Sequence, residues 1–197
     1  MRQASTLKSY FSEYAIEAGL DEVGRGCLAG PVVAAAVILP KDYFHPLLND
    51  SKQLSAKQRN TIKLDIEREA ISFAISEVDA PTIDKINIYK ASMLAMHQAV
   101  DALKVIPEHL LVDGNKFISY PLTPHTCIVK GDTKFFSIAA ASVLAKTYRD
   151  ELMEKLALDY PGYGWERNAG YPTILHKKKI IELGLTPLHR LTFRREL

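Results

Sequence analysis

The chain has 197 residues, of which 47% are hydrophobic and 24% charged, and its formal net charge is +2 at pH 7. This size and composition are typical of a globular chain with one substantial core. Cys27 and Cys127 form no C-x-x-C pair and the six histidines show no zinc-ligand spacing, so neither a zinc site nor a disulfide framework is indicated. Without a signal core or an apolar run long enough for a bilayer, we expect a cytoplasmic protein with no membrane partner.

The charge is unevenly distributed along the chain. Residues 170–197 carry six Lys and Arg against two acids, whereas the preceding part is slightly acidic. A basic tail on an acidic body suits a protein that binds phosphates at one end and metal at the other, although a solvated helix explains the tail alone. We predict a single domain over 1–197, with a lead-in at 1–14, a catalytic core at 15–160 and a basic, aromatic and helical C-terminal extension at 161–197.

Two adjacent carboxylates, Asp21 and Glu22, run directly into a glycine-arginine-glycine turn at 24–26. An apolar, β-branched run follows at Val32–Leu39, so the acids are predicted at the end of one strand with a second strand after the turn. Because successive strand residues face opposite ways, the two acids share a site only if the strand ends or bulges there.

Three interpretations of this stretch compete. A solvated hairpin with acids at its rim is the simplest. A nucleotide fingerprint is disfavoured because Gly24, Gly26 and Gly30 have one residue too many for G-x-G-x-x-G, and Pro31 leads into a strand rather than a helix. The third is a divalent-metal site whose glycine turn lies against a sugar-phosphate backbone. This last interpretation needs carboxylates from elsewhere in the chain.

The remaining patterns predict strands that alternate with helices, and two of these strands lead to an aspartate. They indicate a loose or short helical lead-in before Ala15, a polar loop at Asn49–Gln53, a helix with the capping box Ser55 and Gln58, a strand at Ile71–Val78, one helix from Asp79 to about Leu103, a buried strand His109–Val112 leading to Asp113, a strand Thr126–Val129 leading to Asp132, a long helix Phe136–Tyr160, an aromatic loop and a basic helix ending at Gly184.

Four carboxylates therefore fall at predicted strand ends: Asp21, Glu22, Asp113 and Asp132. In α/β sheets, sites form beyond the carboxyl ends of strands. Carboxylates gathered there would repel by roughly 4 kcal/mol per close pair at intermediate dielectric, so cations must accompany them. Oxygen ligands without His or Cys favour Mg²⁺ or Mn²⁺, and two such ions assist an in-line phosphoryl displacement.

Six segments together resemble one known family. They are Asp-Glu-Val-Gly-Arg-Gly, Asp-Ser-Lys-Gln-Leu-Ser, Val-Asp-Gly-Asn, Lys-Gly-Asp, Ser-Ile-Ala-Ala-Ala-Ser-Val-Leu-Ala-Lys and Tyr-Pro-Gly-Tyr-Gly-Trp. In this order they resemble ribonuclease HII, the type 2 ribonuclease H, from about Ala15 to Phe193. The resemblance implies an α/β, ribonuclease H-like fold, in which helices flank a mixed central sheet, with a small C-terminal helical extension.

The resemblance also implies an activity and a set of site residues. The activity is endonucleolytic cleavage of RNA in RNA/DNA hybrids and 5′ of ribonucleotides embedded in duplex DNA, leaving 3′-hydroxyl and 5′-phosphate ends and serving DNA replication and repair. The expected metal-binding catalytic residues are Asp21, Glu22, Asp113 and, as a fourth partner, Asp132. The expected substrate-binding residues are Gly24, Arg25 and Gly26 at the ribose 2′-hydroxyl, Tyr171 on the sugar, and the phosphate-contact candidates Lys52, Lys146 and Lys177–Lys179. The alternatives are an ordinary packing aromatic at Tyr171 and, for each lysine taken singly, a solvated side chain.

Two positions depart from the family pattern. Ala169 stands where a basic residue is frequent, which puts one phosphate contact in doubt, and Thr192 stands where serine is common. The rival interpretations are a related nuclease, such as ribonuclease HIII or a resolvase-like enzyme, and a non-catalytic hybrid-binding module. Ribonuclease HIII usually has lysine at the position of Arg25 and an additional N-terminal domain, and a non-catalytic module would be expected to lack acids. We expect a monomer.

Overall fold

A five-stranded mixed sheet forms the centre of the protein. The computed structural model describes residues 7–13, 15–48 and 54–194. The strands lie side by side in the order β3-β2-β1-β4-β5. Neighbours are antiparallel from β3 to β1 and parallel from β1 to β5. Their bounds are β1 Glu17–Val23, β2 Val32–Ile38, β3 Ser72–Val78, β4 His109–Asp113 and β5 His125–Ile128.

Helices cover both faces of this sheet, which confirms the predicted α/β class. Helices α1 and α4 pack on one face, and α2 and α3 pack on the other. The short α5 and the basic α6 follow in the C-terminal part. The helix bounds are α1 Ala56–Glu69, α2 Ala80–Ile86, α3 Ile88–Asp101, α4 Phe136–Asp159, α5 Trp165–Asn168 and α6 Ile174–Leu183. No helix among the described residues has the length and apolar character needed to cross a lipid bilayer.

Strand β2 shows why the sheet is covered on both sides. All seven of its residues are buried, so its sequence is a continuous apolar run rather than an alternating one. Val33, Ala35 and Val37 face the core with α1 and α4. The other four residues, Val32, Ala34, Ala36 and Ile38, face the core with α2 and α3.

Local signals place several helix ends where the sequence predicted them. The Ser55 hydroxyl accepts the Gln58 N–H while the Gln58 side chain accepts the Ser55 N–H, so the predicted capping box of α1 is present. Helix α4 begins at Phe136 as expected, and α6 ends before Gly184, whose φ is +81°. A positive φ suits glycine because it has no Cβ.

The single helix predicted from Asp79 to Leu103 is wrong. The segment forms α2 and α3, which are separated at Asn87, where φ is 68°. The Asn87 side chain accepts the Lys90 N–H and caps α3, because a short side-chain oxygen at this position satisfies a free N–H of the first helical turn. The apolar spacing continued across the break and concealed it.

Of two predictions near the N-terminus, one agrees with the structure and one differs. Strand β1 ends at Val23, which pairs with Val33, so Asp21 and Glu22 lie at the end of the strand as predicted, with one further residue before the turn. The described part of the lead-in is neither helical nor loose. Lys8 bridges to Phe135, and the Glu17 carboxylate accepts the N–H groups of Phe11 and Ser12. The predicted polar loop Asn49–Gln53 lies outside the described residues.

Helix α4 approaches β1 unusually closely at Gly19. A Cβ added at Gly19 would lie 2.2 Å from the backbone carbon of Ser137, at the start of α4. Because neither backbone can yield without moving a whole element, only glycine fits at this position.

We expect Gly19→Ala to lower the free energy of unfolding by about 3 kcal/mol, because it overpacks the contact between α4 and β1. Urea denaturation followed by circular dichroism measures the change. Gly26→Ala is the matched control, since its added Cβ has no neighbour within 4 Å, and its effect should stay within about 1 kcal/mol. Equal stability of the two variants would contradict the close-approach argument.

Candidate active site

Three of the four predicted carboxylates meet in one cavity. Asp21 and Glu22 reach it from β1, and Asp113, the last residue of β4, reaches it from the neighbouring parallel strand. The cavity has a volume of about 240 Å³. The other side chains that line it come from Val23, Ser142, Lys146 and Tyr171.

The end of one strand pairing opens this cavity. The parallel pairing of β1 with β4 ends at Leu20 and Val112, so the next residue of each strand, Asp21 or Asp113, lies just beyond the shared ladder. Pairing of β1 with β2 continues past Glu22. Asp21 and Glu22 therefore line the same cavity while β1 is still paired with β2. Both lie where β1 is no longer paired with β4.

Each carboxylate accepts at least one hydrogen bond. Asp21 Oδ1 accepts the Glu22 N–H at 2.7 Å, and Asp113 Oδ1 accepts the Gly131 N–H at 2.7 Å. Glu22 Oε1 accepts from Arg25 Nη1 at 2.9 Å. These contacts hold the three acids in place while their negative charges face one another.

Burial and mutual repulsion disfavour the charged acids. Burial raises the pKa of Asp21 well above its usual value, and the charges of Glu22 and Asp113 raise it further, against a hydrogen bond from Ser142. Burial also raises the pKa of Glu22, although Arg25 opposes this shift. A cation bound next to these acids would therefore stabilise their charged forms.

The donor set fits a hard divalent cation. Carboxylate oxygens without imidazole or thiolate are typical ligands of Mg²⁺ and Mn²⁺, and a cation would relieve the repulsion that raises the pKa values. Over the ranges that the structure describes, no three Asp, Glu, His or Cys side chains are arranged tightly enough to bind a metal ion. Metal binding would therefore require local rearrangement. Release of Glu22 Oε1 from Arg25 is one such change.

Asp132 is not one of the residues that line this cavity. It is buried on a 3₁₀ turn, Gly131–Thr133, rather than following directly from a strand end. The turn contacts the site through the Gly131 N–H, which donates to Asp113. Asp132 thus lies next to the site in the chain, and its role as a fourth ligand stays a prediction.

The glycine-arginine-glycine turn lies at the edge of the carboxylate cavity. Gly24 has a φ of +90°, and a Cβ there would meet Nε of the buried Arg149 at 2.2 Å, so this position requires glycine. Arg25 and Gly26 are exposed. The turn consequently presents backbone and the Arg25 side chain to solvent beside Glu22.

Tyr171 and Lys146, two of the predicted substrate contacts, line the carboxylate cavity. The Tyr171 ring is 37% exposed, and Lys146 Nζ and Arg149 Cζ both lie 5.9 Å from its centroid. The Tyr171 side chain hydrogen-bonds Cys27, and its carbonyl lies 2.9 Å from His176 Nδ1. Tyr171 is therefore held through its side chain and through its main-chain carbonyl, and it remains partly exposed.

A larger cavity of about 360 Å³ shares Lys146 and Tyr171 with the carboxylate cavity. Arg59 and Arg167 also line it. Lys146 Nζ donates to Asp150 Oδ1 at 2.7 Å, and Arg59 Nη2 donates to Asp150 Oδ2 at 3.1 Å. Any anion in this cavity would compete with Asp150 for both cations.

The other predicted substrate contacts are less central or are not described. Lys52 lies outside the described residues. Lys177–Lys179 lie on α6, and none of the three lines the carboxylate cavity. Ala169 contributes a carbonyl that accepts from Arg149 at 2.7 Å. Thr192 donates through its hydroxyl to Asp84 at 2.6 Å, a bond that serine could also make.

Sequence reasoning missed three residues at the site. Ser142 hydrogen-bonds Asp21, and Arg149 and Arg190 are fully buried behind the glycine-arginine-glycine turn. Ser142 stands among small residues that predicted only close packing. Arginine is almost always exposed, so no pattern in the sequence indicated that two would be buried.

Comparison with known proteins gives a consistent result. The sequence model of the family described as Ribonuclease HII matches residues 18–196. The chain is 60% identical over 187 residues to Ribonuclease HII of Parabacteroides distasonis, which covers 95% of this chain and 94% of that relative. It is also 59% identical over 187 residues to Ribonuclease HII of Bacteroides fragilis, with 95% and 93% covered.

Solved structures share the fold. The crystal structure of ribonuclease H2 from Pyrococcus horikoshii superposes with a TM-score of 0.77 at 24% identity, covering 91% of this chain and 94% of that one. A structure of Bst-RNase HIII in complex with Mn²⁺ gives a TM-score of 0.67 at 22% identity and covers 98% of this chain but 68% of that one. At these identities the likeness shows a ribonuclease H fold and nothing finer.

We expect Asp21→Asn to raise the stability of the metal-free protein by about 1 kcal/mol at a pH above the raised pKa of Asp21. A carboxyl whose pKa is raised on folding binds more protons when folded, so wild-type stability falls as pH rises through that pKa. Denaturation in EDTA across this pH range measures the effect. The advantage of the variant should shrink on acidification, and a variant less stable at every pH would contradict it.

Proposed function

The chain belongs to the ribonuclease HII family and is a ribonuclease H, and from this premise we propose that it cuts ribonucleotides within duplex nucleic acid. The proposed substrates are RNA/DNA hybrids and DNA that contains embedded ribonucleotides. The proposed reaction is divalent-metal-assisted hydrolysis on the 5′ side of the ribonucleotide, leaving 3′-hydroxyl and 5′-phosphate ends.

One observation carries the proposal: the carboxylates of Asp21, Glu22 and Asp113 share a cavity with Tyr171 and border a turn in which Arg25 and Gly26 are exposed. Burial and the charges of Glu22 and Asp113 raise the pKa of Asp21, so the cluster is a poor structural core but a good cation site. The adjoining turn and tyrosine supply what a sugar needs, namely polar backbone groups and a flat apolar face. A general phosphate-binding site would require neither of these two features.

We propose that Asp21, Glu22 and Asp113 hold the divalent metal, Mg²⁺ or Mn²⁺, with Asp132 as a fourth partner. When bound, such ions make a water molecule more acidic and stabilise the charge of the departing oxygen. The protein's own contribution is to orient the acids. Main-chain N–H groups fix Asp21 and Asp113, and Arg25 offsets the charge of Glu22.

Recognition of the ribose is assigned to Gly24, Arg25, Gly26 and Tyr171. A 2′-hydroxyl both donates and accepts a hydrogen bond, so backbone N–H and C=O groups distinguish it from the hydrogen of deoxyribose. The exposed turn offers such groups at the cavity edge. Tyr171, braced by Cys27 and His176, would pack on the sugar.

Phosphates of the flanking strand are assigned to Lys146 and Lys52. Lys146 stands between the carboxylate cavity and the larger cavity, so a strand that crosses the site would pass it. Arg59 adds positive charge along the same path. Such contacts are independent of sequence and position the nucleic acid rather than select it.

The wider setting also belongs to the proposal. Removal of ribonucleotides during DNA replication and repair, residence in the cytoplasm, a single domain over 1–197 and a monomeric state are all proposed. The rival non-catalytic hybrid-binding module is disfavoured by the presence of Asp21, Glu22 and Asp113 in one cavity, because a binding module has no need of acids next to a polyanion.

We expect Asp113→Asn to lower the cleavage rate by at least about 10³-fold with Mg²⁺ or Mn²⁺, since it removes a metal ligand's charge while keeping its volume. Single-turnover cleavage of a labelled duplex measures the rate, and circular dichroism checks the fold. Asp42→Asn, at an exposed position away from the cavities, is the matched control and should cleave normally. Ordinary turnover by Asp113→Asn would count against the metal site.

We expect a duplex with one ribonucleotide to be cut at that position, and the same duplex with deoxyribose there to remain intact. The reason is that only the first substrate carries the 2′-hydroxyl that the turn is proposed to bind. Gel analysis of both duplexes, with and without EDTA, tests the selectivity and the metal requirement together. Equal cutting of both would indicate a general nuclease.

A further inference from the structure

Two arginines are completely buried and form no salt bridge with any described carboxylate. Arg149 on α4 and Arg190 near the C-terminus both have no exposed surface. Within the described residues, neither forms an ion pair with a carboxylate. A buried charge is costly unless it is well hydrogen-bonded, so such a pair needs an explanation.

Every nitrogen of Arg149 donates to a main-chain carbonyl. Nε donates to Pro31 O at 2.9 Å, Nη1 to Ala169 O at 2.7 Å and Nη2 to Ala29 O at 3.1 Å. This guanidinium therefore joins α4 to the loop between β1 and β2 and to the residue two before Tyr171.

Arg190 continues the same arrangement closer to the turn. Its Nε and Nη2 donate to Gly30 O at 3.1 and 2.9 Å, and its Nη1 donates to Arg25 O at 2.9 Å. Burial lowers the pKa of Arg190 to about 10, so the side chain is still protonated at neutral pH. Its fork spans two carbonyls that are five residues apart in the chain.

The segment that carries Arg190 is itself fastened in place. Arg190 N–H donates to Leu28 O at 2.8 Å, and Leu188 O accepts the Gly30 N–H at 2.9 Å. Beyond Arg190, the Asp84 carboxylate accepts the N–H groups of Leu191 and Thr192. Arg190 thus lies in a segment that is fixed by main-chain hydrogen bonds on both sides of it.

The contact with Arg25 O determines the direction of a neighbouring donor. In a trans peptide the C=O and the following N–H point in opposite directions. Because the Arg25 carbonyl points inward to Arg190, the Gly26 N–H points away from the interior. Gly26 is exposed, and its N–H has no hydrogen-bond partner within the described part of the chain.

We propose that Arg190 is a positioning residue for ribose selectivity: by holding the Arg25 carbonyl, it aims the Gly26 N–H toward the bound sugar. Arg149 supports it by holding the carbonyls of Ala29 and Pro31. The proposal rests on the proposed function, in which this turn binds the ribose. It adds two interior residues, neither of which touches the substrate, to those that determine selectivity.

Geometry rather than charge is the important property of Arg190. A guanidinium presents several donors in a rigid plane, whereas a lysine ammonium is a point charge on a flexible stem. Lysine at this position would keep the positive charge but could not span Gly30 O and Arg25 O in the same way. Arg190→Lys therefore separates the two explanations.

The test compares binding of two duplexes that differ only in one sugar. Fluorescence anisotropy in EDTA gives Kd for a DNA duplex with one ribonucleotide and for the same all-DNA duplex. We expect wild type to prefer the first. In Arg190→Lys this preference should fall about tenfold, the effect of one hydrogen bond, while the all-DNA Kd stays within about twofold. In Arg190→Gln, which keeps a donor but loses the charge, the preference for the ribonucleotide duplex should fall by a similar factor.

Thermal melting checks that each variant is folded at the assay temperature. Ile62→Val is the matched control, because it disturbs a fully buried core side chain that is remote from the turn, and it should keep the wild-type preference. An unchanged preference in Arg190→Lys overturns the inference, as does an equal loss of affinity for both duplexes. A wild-type preference near one overturns the proposed ribose recognition itself, so the two failures are distinguishable.

Discussion

The close packing of α4 against β1 at Gly19 is the constraint on which the site depends. With no side chain between the two backbones, the start of α4 lies directly on the strand that carries Asp21 and Glu22. Residues three and four apart on a helix share a face, so Ser142, Lys146 and Arg149 then follow along one side of α4. They reach, in turn, the Asp21 carboxylate, the cavity wall and the loop behind the glycine-arginine-glycine turn.

Negative and positive side chains occupy two neighbouring regions, with carboxylates in the cavity and two buried arginines behind the turn. On the cavity side, burial and neighbouring acids raise the pKa values of Asp21 and Glu22, which suits a site that takes up cations. Behind the turn, two buried guanidiniums are satisfied by neutral carbonyls. The turn between them is held from the inside and exposed on the outside. In the proposed function, a turn held in this way would distinguish sugars that differ by one hydroxyl better than a mobile loop, because its donors are already oriented.

Sequence patterns predicted most elements because their signals are local. The apolar run of β2, the capping box of α1 and the strand that ends on Asp113 each depend on residues within a few positions. The break at Asn87 was missed because apolar spacing continued across it. Asp132 was expected with the other three acids, but it lies on a 3₁₀ turn outside the cavity lining.

The sequence by itself determined the α/β class, the family and the acids of the candidate site, because these depend on residue types and on spacing along the chain. Only the tertiary structure decided that Asp21, Glu22 and Asp113 share one cavity and that Arg149 and Arg190 are buried behind the turn. Arg190 and Arg25 are separated by 165 positions, yet Arg190 bonds the Arg25 carbonyl. No local pattern encodes such a contact, because it arises from packing between distant segments and from the need of a buried charge for hydrogen-bond acceptors.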